Sequence, residues 1–263
     1  MNIVIPAGGE IEGDFAAKAG GAIRALAPIG GRPVLQLVVD ALRASGAAGR
    51  IVVIGPEALQ SKVDGVDRWL IEPGSLTLPN GASISGGPAN VLMGLRELTA
   101  DRPALMCTSD LPFLTAEAVA DFVDRLVPGA SLTAGLLTGH AYTERFPDAP
   151  ESRFVPLADA GPSTLGCLFA VRPEAILGKM DLVMQVFNAR KSQWGMVRLL
   201  GPRLLWEFAI RRMSARSIVA RVEKLLDCDI GLVENAAPET AFDIDTVEDY
   251  LYANMKLSGT GRQ

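Results

Sequence analysis

The chain has 263 residues, of which 49% are hydrophobic and 21% are charged, as in globular proteins that bury a sizeable core. Its net charge of −5 argues against broad binding to nucleic acid, and it contains no apolar run of about 18 residues that would suggest a membrane span. The first residues lack the basic region of a signal peptide. This length allows one large α/β domain or two small ones, and composition does not force a split. We expect a cytoplasmic protein organised as a single domain over residues 1–263, with neither nucleic acid nor membrane as a partner.

The cysteines and the histidine exclude other classes of site. Cys107, Cys167 and Cys228 are unevenly spaced and form no CxxC pair, which argues against a disulfide framework or a structural zinc site. His140 is the only histidine and lies in a loop-like stretch, so we interpret it as a surface residue. A mechanism that needs a histidine base would depend on that residue alone.

The first 55 residues predict a βαβ unit. A short apolar strand opens the chain and breaks at Pro6–Gly9, and the next regular element expected is a helix over Val34–Ala44, ending near Gly46. Residues 51–55 form a continuous apolar run, which is typical of a strand buried on both faces. Strand, helix and strand in this order indicate the start of a parallel α/β sheet.

The alternation continues along the chain. We predict strands at residues 67–72, 104–108, 131–137, 165–171 and 230–233, and helices at 89–98, 116–126 and after Thr246, with 139–162 as a loop. Residues 173–228 show only helical spacing and predict a helical subdomain beside the sheet. This subdomain carries a series of arginines, most simply interpreted as a solvated helix face. The predicted fold class is α/β, with a Rossmann-like, mostly parallel sheet flanked by helices.

Two glycine-rich turns are candidates for contact with a nucleotide. Glycines directly after a first strand allow backbone N–H groups to approach a phosphate closely, because no Cβ stands in the way. A tight strand-to-loop turn explains the first pair of glycines equally well. The candidate residues are Pro6, Ala7, Gly8 and Gly9 in the first turn, and Ser85, Gly86, Gly87 and Asn90 in the second.

Acidic residues from distant parts of the chain are candidates for a metal site. Asp110 falls at the carboxyl end of a predicted central strand, where ligands bind in open α/β sheets. Asp243 and Asp245 precede the last helix. Carboxylates beside a phosphate-binding loop are suitable ligands for Mg²⁺ or Mn²⁺. Taken singly, Asp110 is also explained as a helix cap and Asp245 as a surface acid.

Four sequence blocks make the expectation more specific. PAGG with IRALAPIGGRPVL, then SISGGPANVLMGL, CTSDLPFLT and FDIDTVEDY, resemble in content and order the MobA-like NTP transferases. These blocks lie within roughly residues 1–135, 163–172 and 241–253. A further block, FNARKSQWGMVRLLG, resembles an uncharacterised branch of the same superfamily. The order of the blocks identifies the superfamily and leaves the substrate open.

The resemblance implies a fold of the glycosyltransferase-A type and a divalent metal held by Asp110 and the aspartates near 245. It also implies that the backbone at residues 7–9 contacts base and phosphates, and that residues 85–90 help to read the base. The family pattern has an arginine soon after the glycines and a lysine before the Ala-Leu pair. Residues 10–17 contain no arginine here, Arg24 stands in the lysine position, and Lys18 is a possible substitute.

The expected reaction follows from these roles. An anionic acceptor phosphate attacks the α-phosphorus of a nucleoside triphosphate, and a metal ion held by Asp110 and Asp245, helped by Arg24 or Lys18, stabilises the developing negative charge. We expect Arg190 and Lys191 to hold the phosphate of a small-molecule acceptor. The base, the acceptor and the oligomeric state stay open.

Other functions receive less support from the sequence. PAGGEIEG lacks the third glycine of the dinucleotide-binding motif, and no P-loop motif occurs. A protein of the same fold that binds a nucleotide or nucleotide-sugar without turnover is the main alternative, because of the departures at residues 10–24.

Overall fold

A computed structural model describes residues 1–78, 81–98, 103–179, 182 and 193–259, giving only the backbone for 193–200. The sheet strands are β1 (Asn2–Pro6), β4 (Ile51–Gly55), β5 (Arg68–Ile71), β8 (Ala104–Cys107), β9 (Leu132–Thr138), β10 (Val155–Leu157), β11 (Gly161–Val171) and β12 (Ile230–Glu234). Two small hairpins add β2 (Pro28–Ile29) with β3 (Arg32–Pro33), and β6 (Leu76–Thr77) with β7 (Ser83–Ile84). The α-helices are α1 (Gly13–Ala19), α2 (Val34–Ala44), α3 (Gly87–Arg96), α4 (Ala116–Asp124), α5 (Gly139–Arg145), α6 (Pro173–Leu177), α7 (Gln193–Ala209), α8 (Ala215–Leu226) and α9 (Val247–Gly259).

The eight-stranded sheet has the order β12-β9-β11-β8-β1-β4-β5, and β10 pairs with β11. Strands β5, β4, β1 and β8 run parallel, as do β9 and β12, whereas β11 is antiparallel to β8, β9 and β10. This confirms the predicted α/β class with a mostly parallel sheet. The carboxyl ends of β1, β4, β5 and β8 lie along one edge, which is the ligand-binding edge of such sheets.

Helices cover the sheet because its central strands are apolar on both faces. Ile3 and Ile5 of β1 pack into a cluster with α2 and α4, whereas Val4 faces a second cluster with α3 and α6. All three residues are fully buried. The position of α2 matches the prediction, and Gly46 after it adopts a φ of 72° that ends the helix.

Two stretches predicted as loops contain helices. The prediction that order resumes only near Pro33 was wrong, because α1 and a 3₁₀ turn at Arg24–Leu26 precede it. Phe15 of α1 packs on Tyr250 of α9, with ring centroids 5.3 Å apart. The stretch 139–162 holds α5 and β10, and it carries the exposed side chain of His140.

Residues 173–228 are helical wherever they form regular structure in the described part, in α6, α7 and α8. The backbone of α7 is interrupted at Gly201, whose φ of 77° is not helical. The organisation as one domain with a helical subdomain stays a prediction. Among the described residues, no helix has the length and apolar character needed to cross a bilayer.

Candidate active site

The first glycine-rich loop is anchored to the carboxyl edge of the sheet. The Ala7 amide donates to the carbonyl oxygen of Ile54 at 2.7 Å, which continues the β1–β4 pairing one residue beyond the strand. The Arg24 amide then donates to the carbonyl oxygen of Gly9 at 2.9 Å. The loop therefore leaves the sheet at Gly8 and returns beside it at Arg24, which brings this arginine to the strand ends.

Three carboxylates meet at the same edge. Asp110 lies in the loop after β8, and Asp243 and Asp245 lie in the segment before α9. The Ile244 amide donates to the carbonyl oxygen of Asp110 at 3.1 Å. The loop that carries Asp110 is therefore hydrogen-bonded directly to the segment that carries Asp243 and Asp245. One carboxylate oxygen from each aspartate lies within 4.8 Å of the others. Phe242 and Ile244 are buried and hold the segment in place.

The carboxylates lie in surroundings that disfavour three negative charges. Burial, together with neighbouring Asp110 and Asp245, raises the pKa of Asp243 to about 7. Burial also raises the pKa of Asp110, even though Arg24 acts in the opposite direction. The Oδ1 atom of Asp110 is buried and has no hydrogen-bond partner among the described residues. A buried carboxylate oxygen without a partner is costly, and a bound cation would satisfy it.

Arg24 supplies positive charge to this cluster. Its Nη1 atom donates to Oδ2 of Asp110 at 3.1 Å and also to Asp245. The Arg24–Asp110 pair is largely buried, with side-chain exposures of 23% and 12%, whereas Asp245 is 62% exposed. The Nε atom of Arg24 is buried and finds no partner in the described part of the chain. The cluster therefore combines an all-oxygen donor set, which suits Mg²⁺ or Mn²⁺, with one resident guanidinium.

The comparison with protein families identifies the chain at this point. The model of the MobA-like NTP transferase domain matches residues 3–145, more than half of the sequence. The chain belongs to the MobA-like NTP transferase family. No curated protein sequence matches it.

Solved structures support the fold of this family. A hypothetical transferase from Thermus thermophilus has a TM-score of 0.80 and 26% identity, over 95% of this chain and 98% of the other. The 4-diphosphocytidyl-2C-methyl-D-erythritol synthase of Anaerococcus prevotii has a TM-score of 0.56 and 14% identity, over 97% of each chain. A 2-C-methyl-D-erythritol 4-phosphate cytidylyltransferase, also from Thermus thermophilus, has a TM-score of 0.52 and 17% identity, over 97% of each chain. The last two likenesses concern the fold alone.

Gly8 in the first glycine-rich loop lies directly against Glu72 and Asn90. A Cβ at this position would lie 1.9 Å from Glu72 Oε2 and 2.6 Å from Asn90 Nδ2, so any other residue would displace these two side chains. Asn90 is 1% exposed and donates from Nδ2 to Glu72 Oε2 at 3.2 Å. Sequence reasoning missed Glu72, although its place directly after β5, at the carboxyl edge, was an available signal.

The second glycine-rich turn faces open space. Gly86 has a φ of 62° and caps α3, and its carbonyl oxygen accepts from the Asn90 amide at 3.0 Å. A Cβ on Gly86 or Gly87 would meet no described atom within 4 Å, so this turn is accessible to a ligand. Ser85 begins this turn directly after β7, and Pro6 is the last residue of β1, immediately before the first loop.

Other predicted site residues lie elsewhere or outside the described part of the chain. Lys18 pairs with Asp14 at 2.5 Å along the exposed side of α1, a contact that directs it to its own helix and not to Asp110. Arg190 and Lys191 fall outside the described residues, so their assignment to the acceptor stays a prediction.

A groove beside Arg24 is acidic where the family pattern carries an arginine. It has a volume of about 430 Å³ and lies between the first loop and the start of α9. Its lining residues are Glu10, Ile11, Glu12, Asp14, Phe15, Arg24, Asp245, Thr246 and Val247. Apart from Arg24, every charged residue of this lining is acidic. The groove is thus poorly suited to a bare triphosphate and better suited to a phosphate group that carries a metal ion.

Proposed function

We propose that this protein is a metal-dependent nucleotidyltransferase, which moves a nucleoside monophosphate group from a nucleoside triphosphate to a phosphorylated small-molecule acceptor. The observation that carries the proposal is the cluster of Asp110, Asp243 and Asp245 around Arg24, beside the Gly8–Gly9 loop. Membership of the MobA-like family supports a nucleoside triphosphate as the donor.

The proposed metal ligands are Asp110 and Asp245, with Asp243 as the third carboxylate of the cluster. The fit to Mg²⁺ or Mn²⁺ rests on the three carboxylate oxygens within 4.8 Å of one another and on the unpartnered Oδ1 of Asp110. When bound, the ion would neutralise charge on the phosphate oxygens and stabilise the negative charge that develops on the departing pyrophosphate.

The reaction needs little covalent chemistry from the protein. An oxygen of the acceptor phosphate forms a bond to the α-phosphorus, and the bond from the α-phosphorus to the bridging oxygen breaks, releasing pyrophosphate. The attacking oxygen is already anionic, so no general base is required and the exposed His140 has no part to play. Residues 7–9 orient the nucleotide through their backbone, and Arg24 stabilises charge on the phosphates once it leaves the carboxylates.

The test measures pyrophosphate release with each nucleoside triphosphate, Mg²⁺ and a panel of phosphorylated small molecules. Release that requires both the metal and one class of acceptor is the expected result. Asp110→Asn should abolish it, whereas Asp14→Asn, on the rim of the groove, should leave measurable turnover. Metal-dependent turnover that persists undiminished in Asp110→Asn would show that the metal site is assigned wrongly.

The second candidate is a nucleotide-binding protein without turnover. It is favoured by Glu10, Glu12 and Asp14 in the groove, which replace the positive charge expected around a triphosphate. A thermal-shift screen separates the two candidates, because a ligand that binds only the folded state raises the unfolding temperature. Stabilisation by a nucleotide without pyrophosphate release from any acceptor would support the binding protein.

A further inference from the structure

Charge is unevenly distributed along this chain. Residues 193–226, which form α7 and α8, contain seven lysines and arginines against two acidic residues, a net charge of +5. The remaining residues contain 18 basic and 28 acidic side chains, a net charge of −10. The helical segment is therefore a positive pole on an acidic protein. The chemistry proposed for the site uses Arg24 and other residues that all lie outside 193–226. It therefore gives the positive pole no role.

The end of α7 also exposes large apolar side chains. Trp206 is 66% exposed, Phe208 is 51% exposed and Ile210 is 41% exposed. We call these three residues the apolar tip. The Ile210 amide donates to the carbonyl oxygen of Trp206 at 3.0 Å, so these two side chains lie one helical turn apart on the same side. Phe208, two positions from each, projects from another side of the helix, so the shared exposed apolar face is that of Trp206 and Ile210.

The tip is held firmly from the inner side. Leu204 and Met213 are buried at 3% and 4% exposure in a cluster with Leu136 and Leu157 of the sheet. The carbonyl oxygen of Met213 accepts from the Ala158 amide at 2.8 Å. Because the segment is fixed on both sides of the tip, the outward position of the apolar residues is a property of the folded chain and not of a frayed end.

Arginines surround the tip. Arg211 and Arg212 follow it directly and are exposed, and Arg216 is exposed at the start of α8. Arg203, one turn before the tip, is 89% exposed and pairs with Glu207, the one acidic residue of the α7 end. Aromatic and aliphatic side chains bordered by arginines match the boundary between lipid headgroups and acyl chains, where the apolar groups insert and the cations meet lipid phosphates.

We propose that the apolar tip and its arginines dock the protein on the surface of an anionic lipid bilayer. The partner follows from charge complementarity: the acidic remainder of the molecule is repelled by such a surface, so the positive pole faces it. Single-stranded RNA also attracts arginine and aromatic groups, but it offers no apolar phase for Ile210. The expectation of no membrane partner rested on the absence of a spanning segment, and peripheral docking needs none.

The experiment is flotation of the full chain with two kinds of vesicle, phosphatidylcholine alone and phosphatidylcholine mixed with phosphatidylglycerol. We expect binding to the mixed vesicles only, weakened by salt because the attraction between exposed charges is screened. Arg211→Glu together with Arg212→Glu should reduce the partition coefficient at least about 25-fold, since each basic residue near such a surface contributes about fivefold.

The apolar part is tested separately. Trp206→Ala with Ile210→Ala should reduce binding at least about tenfold at constant charge. The matched control is Leu251→Ala with Met255→Ala on α9, whose side chains are 47% and 60% exposed and lie outside the positive pole. This control should bind the vesicles as the parent does. All changed side chains are exposed, so circular dichroism should show unchanged folding.

The proposal is overturned if the chain does not bind anionic vesicles, or if the α9 control loses as much binding as the tip variant. It is also overturned if light scattering shows that the chain associates with itself through the tip and that the associated form does not bind vesicles. Tighter binding to single-stranded RNA than to the vesicles, lost in the same tip variant, would assign the surface to nucleic acid instead. Because flotation needs neither nucleotide nor metal, its outcome is independent of the proposed transferase activity.

Discussion

Arg24 bridges Asp110 and Asp245, two of the residues proposed to hold a metal ion, so the guanidinium and the metal compete for the same oxygens. The change Arg24→Met removes the charge and keeps much of the side-chain volume. In the metal-free protein it leaves Asp110, which is only 12% exposed, without its cation. Removing one partner of a buried pair costs about 3–5 kcal/mol.

One feature of the structure adds little to that cost, and a second reduces it. The contact with Asp245 is mostly exposed, so its loss adds at most about 1 kcal/mol. Asp110 also has a raised pKa, because of its burial, and can take up a proton in the variant. We therefore expect a loss near the lower end of that range, about 3 kcal/mol, which lowers the unfolding temperature by roughly 6–12 °C for a chain of this size.

The assay is thermal unfolding of parent and variant with and without Mn²⁺, together with a calorimetric titration of Mn²⁺ alone. The variant should be less stable without metal, bind Mn²⁺ at least about tenfold more tightly, and regain most of its stability when metal is added. Arg32→Met is the matched control, because Arg32 pairs with Asp40 on the surface at 52% and 48% exposure. Equal stability of parent and Arg24→Met without metal, or equal Mn²⁺ affinity, would refute the competition.

Three further predictions concern the site and its support. Asp110→Asn should lower Mn²⁺ affinity by more than about tenfold in calorimetry, because it removes a charged oxygen ligand; unchanged affinity would place the metal elsewhere. Gly8→Ala should reduce nucleotide-induced thermal stabilisation, since the new Cβ would lie 1.9 Å from Glu72 Oε2 and displace that side chain, whereas Gly74→Ala, where a Cβ meets no described atom within 4 Å, should retain it. Phe242→Ala should destabilise the protein by about 3–5 kcal/mol in chemical denaturation and also weaken metal binding, because this 1%-exposed ring holds the segment that carries the last two aspartates. A stable Phe242→Ala protein with normal metal affinity would contradict this role.

The sheet could be predicted because its signals are local. Continuous apolar runs, such as residues 51–55, identify strands buried on both faces whatever packs on them. Thr115 directly precedes the predicted helix 116–126, a position that favours a capping threonine, and its side chain accepts from the Ala118 amide at 3.2 Å. Thr246 precedes the last predicted helix in the same way, and its side chain accepts from the Asp249 amide at 3.2 Å.

The missed elements depend on partners far away in the sequence. Helix α1 is stabilised by Phe15 packing on Tyr250, and α5 by Tyr142, which stacks with Phe242 at a centroid distance of 6.2 Å. No local pattern around residues 13–19 or 139–145 contains those partner rings. The carboxylates of the site could be named from the sequence, because each lies beside a predicted strand or helix. The bridging position of Arg24 and the contact of Glu72 with Asn90 could not, because they too depend on partners distant in the sequence.

The hydrogen bond between Ile244 and Asp110 has a consequence for how the site is assembled during synthesis. The segment matched by the family model, residues 3–145, contains Asp110 and Arg24 but not the two aspartates near α9. A growing chain that has emerged only this far contains Asp110 and Arg24 but not the complete set of carboxylates. The proposed metal site therefore becomes complete only once Asp243 and Asp245 have been added, after every described sheet strand has been made.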